Sequence, residues 1–344
     1  MRSQPLKNIL ILNFDYPGAV MLTIPAIIAL RESFPNAKLV HYLGKNVAEL
    51  LEYSPCADRV IIRNKKAKLV DKYRLVQTLR KEPFDVVISF CCAESKILLA
   101  YLSKAPIRIG FAQSKLPFLL THRVFQPPLG RHMVENNLDL IRVLNPSCTT
   151  HPLTVWLAQE DCDFADRFWA EYNLSSSPIV IALHAGVSES YRRWALSSMA
   201  ELADRLIRQL QAKIVFVGGE PDKTITEELI SQMQYQPINA VGKTGLRQLS
   251  ALLKKCSLYV GVDSGPMHFA AASGIPVVAL FGPSDPLRAG PYTKTAWVIR
   301  KELSCSPCYK GDCDNNLCMQ QITVDEVFTT IENILKTKPI KSTI

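Results

Sequence analysis

The sequence predicts an α/β protein built from two doubly wound parallel sheets, and three observations carry that prediction. Short apolar, β-rich runs alternate with helical stretches along the chain. The 344 residues suggest about two domains. The run 259–286, YVGVDSGPMHFAAASGIPVVALFGPSDP, parses as strand, acidic tight turn, helix, strand and Gly turn, which is one βαβ unit of an open sheet.

The elements follow in order. Residues 8–13, NILILN, read as a buried strand, followed by a Gly-containing turn at 15–18. A helix is expected over 22–33, with Thr23 and Pro25 near its start. Strands at 38–43, 59–63, 85–90 and 107–111 alternate with helices at 47–53 and 69–81, and a helix over 133–144 follows. Residues 145–177 contain Pro146, Pro152 and the turn Ser175-Ser176-Ser177-Pro178, so the domain boundary is placed there. The assignment is an N-terminal domain over 1–160, a second domain over 161–322, and a terminal helix and tail over 323–344. The second series has strands at 179–184, 213–217, 238–241, 258–262 and 277–281. Its helices are expected at 197–211, 224–234, 246–255, 267–273 and 323–336.

Composition narrows the class. Hydrophobic residues make up 48% of the chain and charged residues 21%, enough apolar material for a large core. No apolar run reaches the roughly 18–20 residues that span a bilayer, and the N-terminus lacks the pattern of a signal peptide. A cytoplasmic protein is therefore expected. The net charge of +9 is unevenly spread: residues 1–150 hold 21 Lys and Arg against 11 Asp and Glu, and the rest hold 19 against 20. The densest basic cluster is Arg63, Lys65, Lys66, Lys68, Lys72 and Arg74. Such a surface suits anionic partners, among them acidic headgroups and phosphorylated glycolipids, although a solvated loop and helix start explains it equally well. No aromatic-interleaved or zinc-finger pattern supports nucleic acid.

The most specific chemistry lies in Asp263-Ser264-Gly265, Pro266 and His268. A helix starting beside the carboxyl end of a strand presents free N–H groups and a positive dipole end, which together attract an anion. The Ser264 hydroxyl faces the same crevice, and His268 lies on the first helical turn. This pattern, followed by Pro276-Val277-Val278-Ala279-Leu280-Phe281-Gly282-Pro283, resembles the nucleotide-sugar signature of the ADP-heptose:lipopolysaccharide heptosyltransferases, glycosyltransferase family 9. The resemblance covers almost the whole chain. It implies a GT-B fold of two facing Rossmann-like domains, with the terminal helix packing back on the first. The implied activity is inverting transfer of a heptose from ADP-L-glycero-D-manno-heptose to a lipopolysaccharide core or related glycan acceptor. A different nucleotide sugar is an alternative.

Two further segments carry the resemblance. In Gly18-Ala19-Val20-Met21-Leu22-Thr23-Ile24-Pro25-Ala26 the Gly, Thr, Pro and Ala match the family, but Ala19 stands where the family has the Asp proposed as general base. Either the chain is a disabled transferase, natural or engineered, or another carboxylate serves. Asp15 is the nearest in the same loop, where a turn-stabilising role is the commoner one. In the second segment, residues 185–194, Gly186 and Trp194 match, while Ala185 and Ala195 replace prolines. Arg192 falls at the basic position on the diphosphate, where a departing nucleoside diphosphate needs a cation, and Ser188 could donate to the same group. By the same resemblance Glu220 falls near the ribose, Lys243 and Thr244 near the nucleobase pocket, and Asp263 orients the sugar hydroxyls or the turn itself. His184 ends a strand beside the phosphate loop and reads as a satisfied strand-end histidine.

Four cysteines close together, Cys305, Cys308, Cys313 and Cys318, could wrap one tetrahedral ion. Zinc is the first expectation and iron the second; reduced or disulfide-linked cysteines are the alternative. Any metal there would be structural, and the transfer itself needs no cofactor. The expected partners are a nucleotide-sugar donor, an anionic glycolipid or glycan acceptor bound by the basic first domain, and the cytoplasmic face of a bacterial inner membrane. The rival reading is a non-catalytic nucleotide-sugar-binding protein, supported by Ala19.

Overall fold

The computed structural model describes residues 6–127, 129–186, 189–308, 313 and 315–337. The chain divides between Trp156 and Leu157 into two compact units.

The first unit runs β1 (Asn8–Leu12), α1 (Pro17–Met21), α2 (Ile24–Ser33), β2 (Lys38–Gly44), α3 (Glu49–Glu52), β3 (Arg59–Arg63), α4 (Leu69–Lys81), β4 (Val86–Ser89), α5 (Glu94–Leu102), β5 (Ile107–Phe111), β6 (His122–Val124) and α6 (Met133–Arg142). Its six strands are parallel in the order β3-β2-β1-β4-β5-β6. Helices cover such a sheet, so its inner strands read as continuous apolar runs; Ile9 to Leu12 and Val86 to Ile88 are fully buried.

The second unit runs α7 (Gln159–Glu171), β7 (Val180–His184), α8 (Leu196–Leu210), β8 (Lys213–Phe216), α9 (Lys223–Ser231), β9 (Ile238–Asn239), α10 (Leu246–Lys255), β10 (Leu258–Val262), α11 (Gly265–Ala272), β11 (Val277–Phe281), α12 (Pro286–Ala289), β12 (Ala296–Arg300), α13 (Leu317–Gln320) and α14 (Val324–Thr337). Its parallel order is β12-β11-β10-β7-β8-β9. In each unit the first strand has its successor on one side and the fourth on the other. That is the doubly wound order, and it opens a crevice at the carboxyl ends of β1 and β4 in one unit and of β7 and β10 in the other.

Several elements differ from the sequence expectation. Pro17 starts α1 inside the stretch read as a turn, because proline fits the first helical position, so Ala19 lies on a helical turn. Helix α7 occupies part of the stretch read as linker; it buries Ala165 and Phe168, and Phe168 stacks on Tyr172 at 4.6 Å. Helix α5 and the edge strands β6 and β12 were not anticipated from the sequence. The terminal helix, expected to pack back on the first domain, is built into the core of the second unit. Its apolar stripe Val327, Phe328, Ile331 and Ile334 meets α8 and β11, and Arg205 pairs with Asp325 and lies 4.0 Å from the Phe328 ring centre. The amphipathic period of α14 requires a partner face, and α8 supplies it with Met199, Leu202, Ala203 and Leu206. No described helix is long and apolar enough to cross a membrane.

Candidate functional site

The second unit gathers its polar groups at the crevice between β7 and β10. Ser264 is the N-cap residue of α11, yet its side chain does not cap that helix. The Ser264 Oγ lies 3.0 Å from His184 Nδ1 and 3.1 Å from the Val262 carbonyl oxygen. His184 ends β7, is buried, and places Nε2 3.3 Å from Asp222 Oδ2. The same Asp222 oxygen accepts from the Gly219 N–H at 2.9 Å. A chain Ser264–His184–Asp222 therefore crosses the crevice and leaves the first N–H groups of α11 without a cap from their own serine. Burial alone would raise Asp222, but the His184 hydrogen bond and charge and the Gly219 N–H outweigh it, holding the carboxyl below its ordinary value.

Gly186 and Gly218 make room for this carboxylate. A Cβ at Gly186 would fall 2.0 Å from Asp222 Oδ1, and one at Gly218 2.8 Å from Oδ2. Only glycine lets the β7 and β8 loops close on Asp222.

A second ionic group lies beside the first. Arg192 Nη1 is 3.3 Å from Asp263 Oδ2, and its Nε is 3.1 Å from Glu189 Oε2. Burial opposes the charge on Arg192, but Asp263 and Glu189 overcome it and raise its pKa. Burial pushes the Asp263 carboxyl up, against a hydrogen bond from Ser284 and the Arg192 charge. Arg192 keeps about a quarter of its side chain exposed, so it can turn from these carboxylates toward an entering anion. Gly265 opens α11, and His268 is buried on its first turn.

The remaining predicted donor residues are more open. Glu220 is exposed and pairs with Lys223 at 3.5 Å, and its carboxylate closes over Gly242. Lys243 Nζ reaches the Tyr172 hydroxyl at 3.2 Å, which ties it to α7, and Thr244 beside it is half-buried. Ser188 lies outside the described residues. His184 takes part more directly than its strand-end position suggested. Asp222 was missed in the sequence; the signal available was the pair Gly218-Gly219 followed by an acidic residue at the third helical position.

In the first unit the crevice at β1 and β4 holds Asp15, which is buried. One carboxylate oxygen pairs with Arg63 of β3 and the other with Lys96 of α5 at 3.4 Å. Lys96 is 1% exposed, and its Nζ also donates to the Asn13 carbonyl. Burial pushes the Lys96 ammonium down, with the Asp15 charge opposing. Ala19 is half-buried one turn further on. Thr23, one of the residues that match the family, is buried and hydrogen-bonds Asn13 and the Val20 carbonyl, so it fixes the loop.

The four cysteines are unequal: Cys305 and Cys313 are exposed, Cys308 is half-buried and Cys318 is buried. Burial raises the Cys318 thiol, and Cys308 and Cys313 lie near enough to add to it. Among the described residues no three His, Cys, Asp or Glu side chains gather closely enough to hold an ion, so the four cysteines are not brought together as the sequence suggested.

Comparison with known proteins agrees with this geometry. Residues 72–318 match the model of glycosyltransferase family 9 (heptosyltransferase). A lipopolysaccharide core heptosyltransferase of Haemophilus influenzae is 26% identical over 300 residues, covering 85% of this chain and 84% of that protein. The crystal structure of a family 9 glycosyl transferase from Veillonella parvula superposes with a TM-score of 0.86 at 27% identity, over 98% of this chain and 99% of that one. The Escherichia coli ADP-heptose heptosyltransferase II has the same fold, with a TM-score of 0.80 at 22% identity over 96% and 98% of the two chains.

Proposed function

The chain belongs to glycosyltransferase family 9, and from that premise we propose that it transfers a heptose from ADP-L-glycero-D-manno-heptose to a lipopolysaccharide core or related glycan acceptor. The observation that carries this reading is the crevice at β7 and β10, where Arg192, Ser264 and the start of α11 converge. A departing nucleoside diphosphate gains negative charge as the glycosidic bond breaks. Arg192 supplies a planar cation for it, the α11 N–H groups supply donors, and Ser264 supplies a hydroxyl held in place by His184 and Asp222. Asp263 orients the sugar or the turn, and His268 completes the wall. Glu220, Lys243 and Thr244 line the nucleoside end. Ser188, four positions before Arg192 in the sequence, is proposed as a further donor to the diphosphate.

The acceptor hydroxyl attacks the anomeric carbon from the face opposite the diphosphate, inverting its configuration, and must give up a proton. Ala19 cannot take it. Asp15 is the one carboxylate in the β1–α1 loop, but Arg63 and Lys96 engage both its oxygens, so its first role is to hold those cations. Transfer without a carboxylate at position 19 is therefore expected to be slow. The four cysteines are proposed as a structural zinc or iron site, and the reaction needs no cofactor. The protein is expected to act at the cytoplasmic face of the inner membrane, where a lipid-linked acceptor would be presented.

Ala19 favours a second reading, a nucleotide-sugar-binding protein without turnover; a transferase using another nucleotide sugar is a third. The deciding experiment measures turnover of ADP-heptose with a deacylated lipopolysaccharide acceptor, for the chain as it stands and for Ala19→Asp, with donor binding in parallel. Turnover by the unaltered chain supports the transferase. Binding without turnover, with activity gained by Ala19→Asp, identifies a disabled transferase. No donor binding removes the heptose assignment.

A further inference from the structure

Helix α4 begins outside the core. From Asn64 to Arg74 every residue except Ala67 is exposed, and the helix enters the core only at Leu75, Val76 and Leu79. Exposed helical turns are ordinarily polar, because apolar surface in water is costly. Here Leu69 is 82% exposed, Val70 58% and Tyr73 64%. Positions i, i+1 and i+4 fall on one side of a helix, so the three form a single apolar patch. Around it stand Lys65, Lys66, Lys68, Lys72 and Arg74 against one carboxylate, Asp71, which is spent on Arg74 at 3.7 Å and on the Lys68 N–H.

The basic first unit has other exposed apolar residues, Phe118 and Phe125 among them, but of the four cations in residues 108–131 only Arg123 lacks a side-chain partner among the described residues. Lys115 pairs with Glu94, Arg131 with Asp139, and Arg108 donates to the Leu119 and Ala105 carbonyls. Lys66, Lys68 and Lys72 have no ion-pair partner among the described residues. An apolar patch ringed by unpaired cations matches the layered chemistry of an anionic bilayer surface, with acyl chains below and phosphates above. A soluble polyanion has no use for the leucine and valine, and an apolar protein partner has no use for the excess positive charge. The patch also adjoins the first unit's crevice. Strand β3 ends at Arg63, which holds Asp15, and Lys65 lies 5.5 Å from the ring centre of the exposed Tyr16.

We propose that residues 65–74, the turn before α4 and the start of α4, are a membrane-docking element: Leu69, Val70 and Tyr73 insert at the headgroup boundary, and Lys65, Lys66, Lys68, Lys72 and Arg74 bind anionic lipid phosphates. This deepens the proposed function and rests on it in one respect, that docking here would bring a lipid-linked acceptor to the Asp15 crevice.

The test is sedimentation of the full chain with vesicles of phosphatidylcholine alone or with one third phosphatidylglycerol, beside thermal unfolding and calorimetric titration with ADP. The anionic vesicles should bind the chain and the neutral ones should not, with binding weakening as salt rises. Lys66→Glu/Lys68→Glu/Lys72→Glu should lower the partition by more than about a hundredfold, since each basic residue near such a surface contributes about fivefold and three together about a hundredfold. Leu69→Ser/Val70→Ser/Tyr73→Ser should lower it by at least about tenfold. Fluorescence of a Tyr73→Trp variant should be quenched by brominated acyl chains. Both triple variants should keep the Tm and the ADP affinity of the unaltered chain, so failure of docking is read apart from misfolding and from failure of the transferase assignment. Equal binding to neutral vesicles, unchanged binding in the Ser variant, no quenching at residue 73, or full displacement by a soluble phosphorylated glycan lacking acyl chains each overturns the proposal.

Discussion

Replacing Asp15 with Asn separates a structural carboxylate from a catalytic one. Asp15 is buried between a fully buried lysine and an arginine that keeps a quarter of its side chain in solvent. The substitution keeps volume and removes the charge, leaving the Lys96 ammonium with neutral acceptors in place of its carboxylate partner. Removing one member of a buried ion pair costs about 3–5 kcal/mol, chiefly because the other charge stays buried. The exposed share of Arg63 argues for the lower end, about 3 kcal/mol. For a unit of this size that is a fall in Tm of about 6–12 °C. The assay is thermal unfolding at neutral pH of wild type, Asp15→Asn and Asp15→Asn/Lys96→Met. The double variant removes the stranded charge as well and should recover at least half of the loss. A Tm for Asp15→Asn within about 1 °C of wild type, with soluble transfer abolished and donor binding kept, would refute this reasoning and make Asp15 the base.

Three other outcomes are expected. Gly186→Ala forces Asp222 aside, since the new Cβ would sit 2.0 Å from its oxygen, so stability should fall by about 1–3 kcal/mol; adding Asp222→Ala should relieve most of that loss in a urea titration, and no relief means that the clash lies elsewhere. Asp222→Asn weakens the chain that orients Ser264, so calorimetric titration with ADP should show about tenfold weaker binding, and unchanged affinity would detach the dyad from the anion site. His41, buried with its Nε2 2.9 Å from the Cys56 carbonyl, is driven by burial from 6.5 down to about 4. The unfolded chain takes up that proton first, so the contribution of neutral His41 is full above pH 6.5 and is lost as the pH falls toward about 4, up to about 3 kcal/mol. Urea midpoints at pH 7.5 and 5.0 should therefore converge in His41→Gln, and an equal acid sensitivity in both proteins assigns the effect to other groups.

The periodicity of the chain and its turn chemistry determined most of the fold. Apolar strands buried on both faces are legible because they need no polar alternation, and Pro266 after a Ser-Gly turn marks a helix start wherever it occurs. The placement of Ser264 and Gly265 at the carboxyl edge followed from that local reading. The elements missed were those with weak local signal: an edge strand of three residues at β6, a helix at α7 whose apolar stripe is brief, and α5 between two turns. The terminal helix was legible as a helix, but its partner was not, because an apolar stripe announces that it will be buried and not against what.

Charge pairing lay further out of reach. Asp15 meets residues 48 and 81 positions away, His184 meets Asp222 38 away, and Ser264 meets His184 80 away. The sequence by itself determined two doubly wound sheets, a helix start at Ser264 and an excess of positive charge in the first half. Only the tertiary structure decided that Asp15 is committed to Arg63 and Lys96, that His184 and Asp222 stand behind Ser264, and that the cations at the start of α4 surround exposed leucine, valine and tyrosine. The physical reason is that hydrogen-bond and ion-pair partners are chosen by which strand ends the sheet order brings together, and local sequence carries no record of that order.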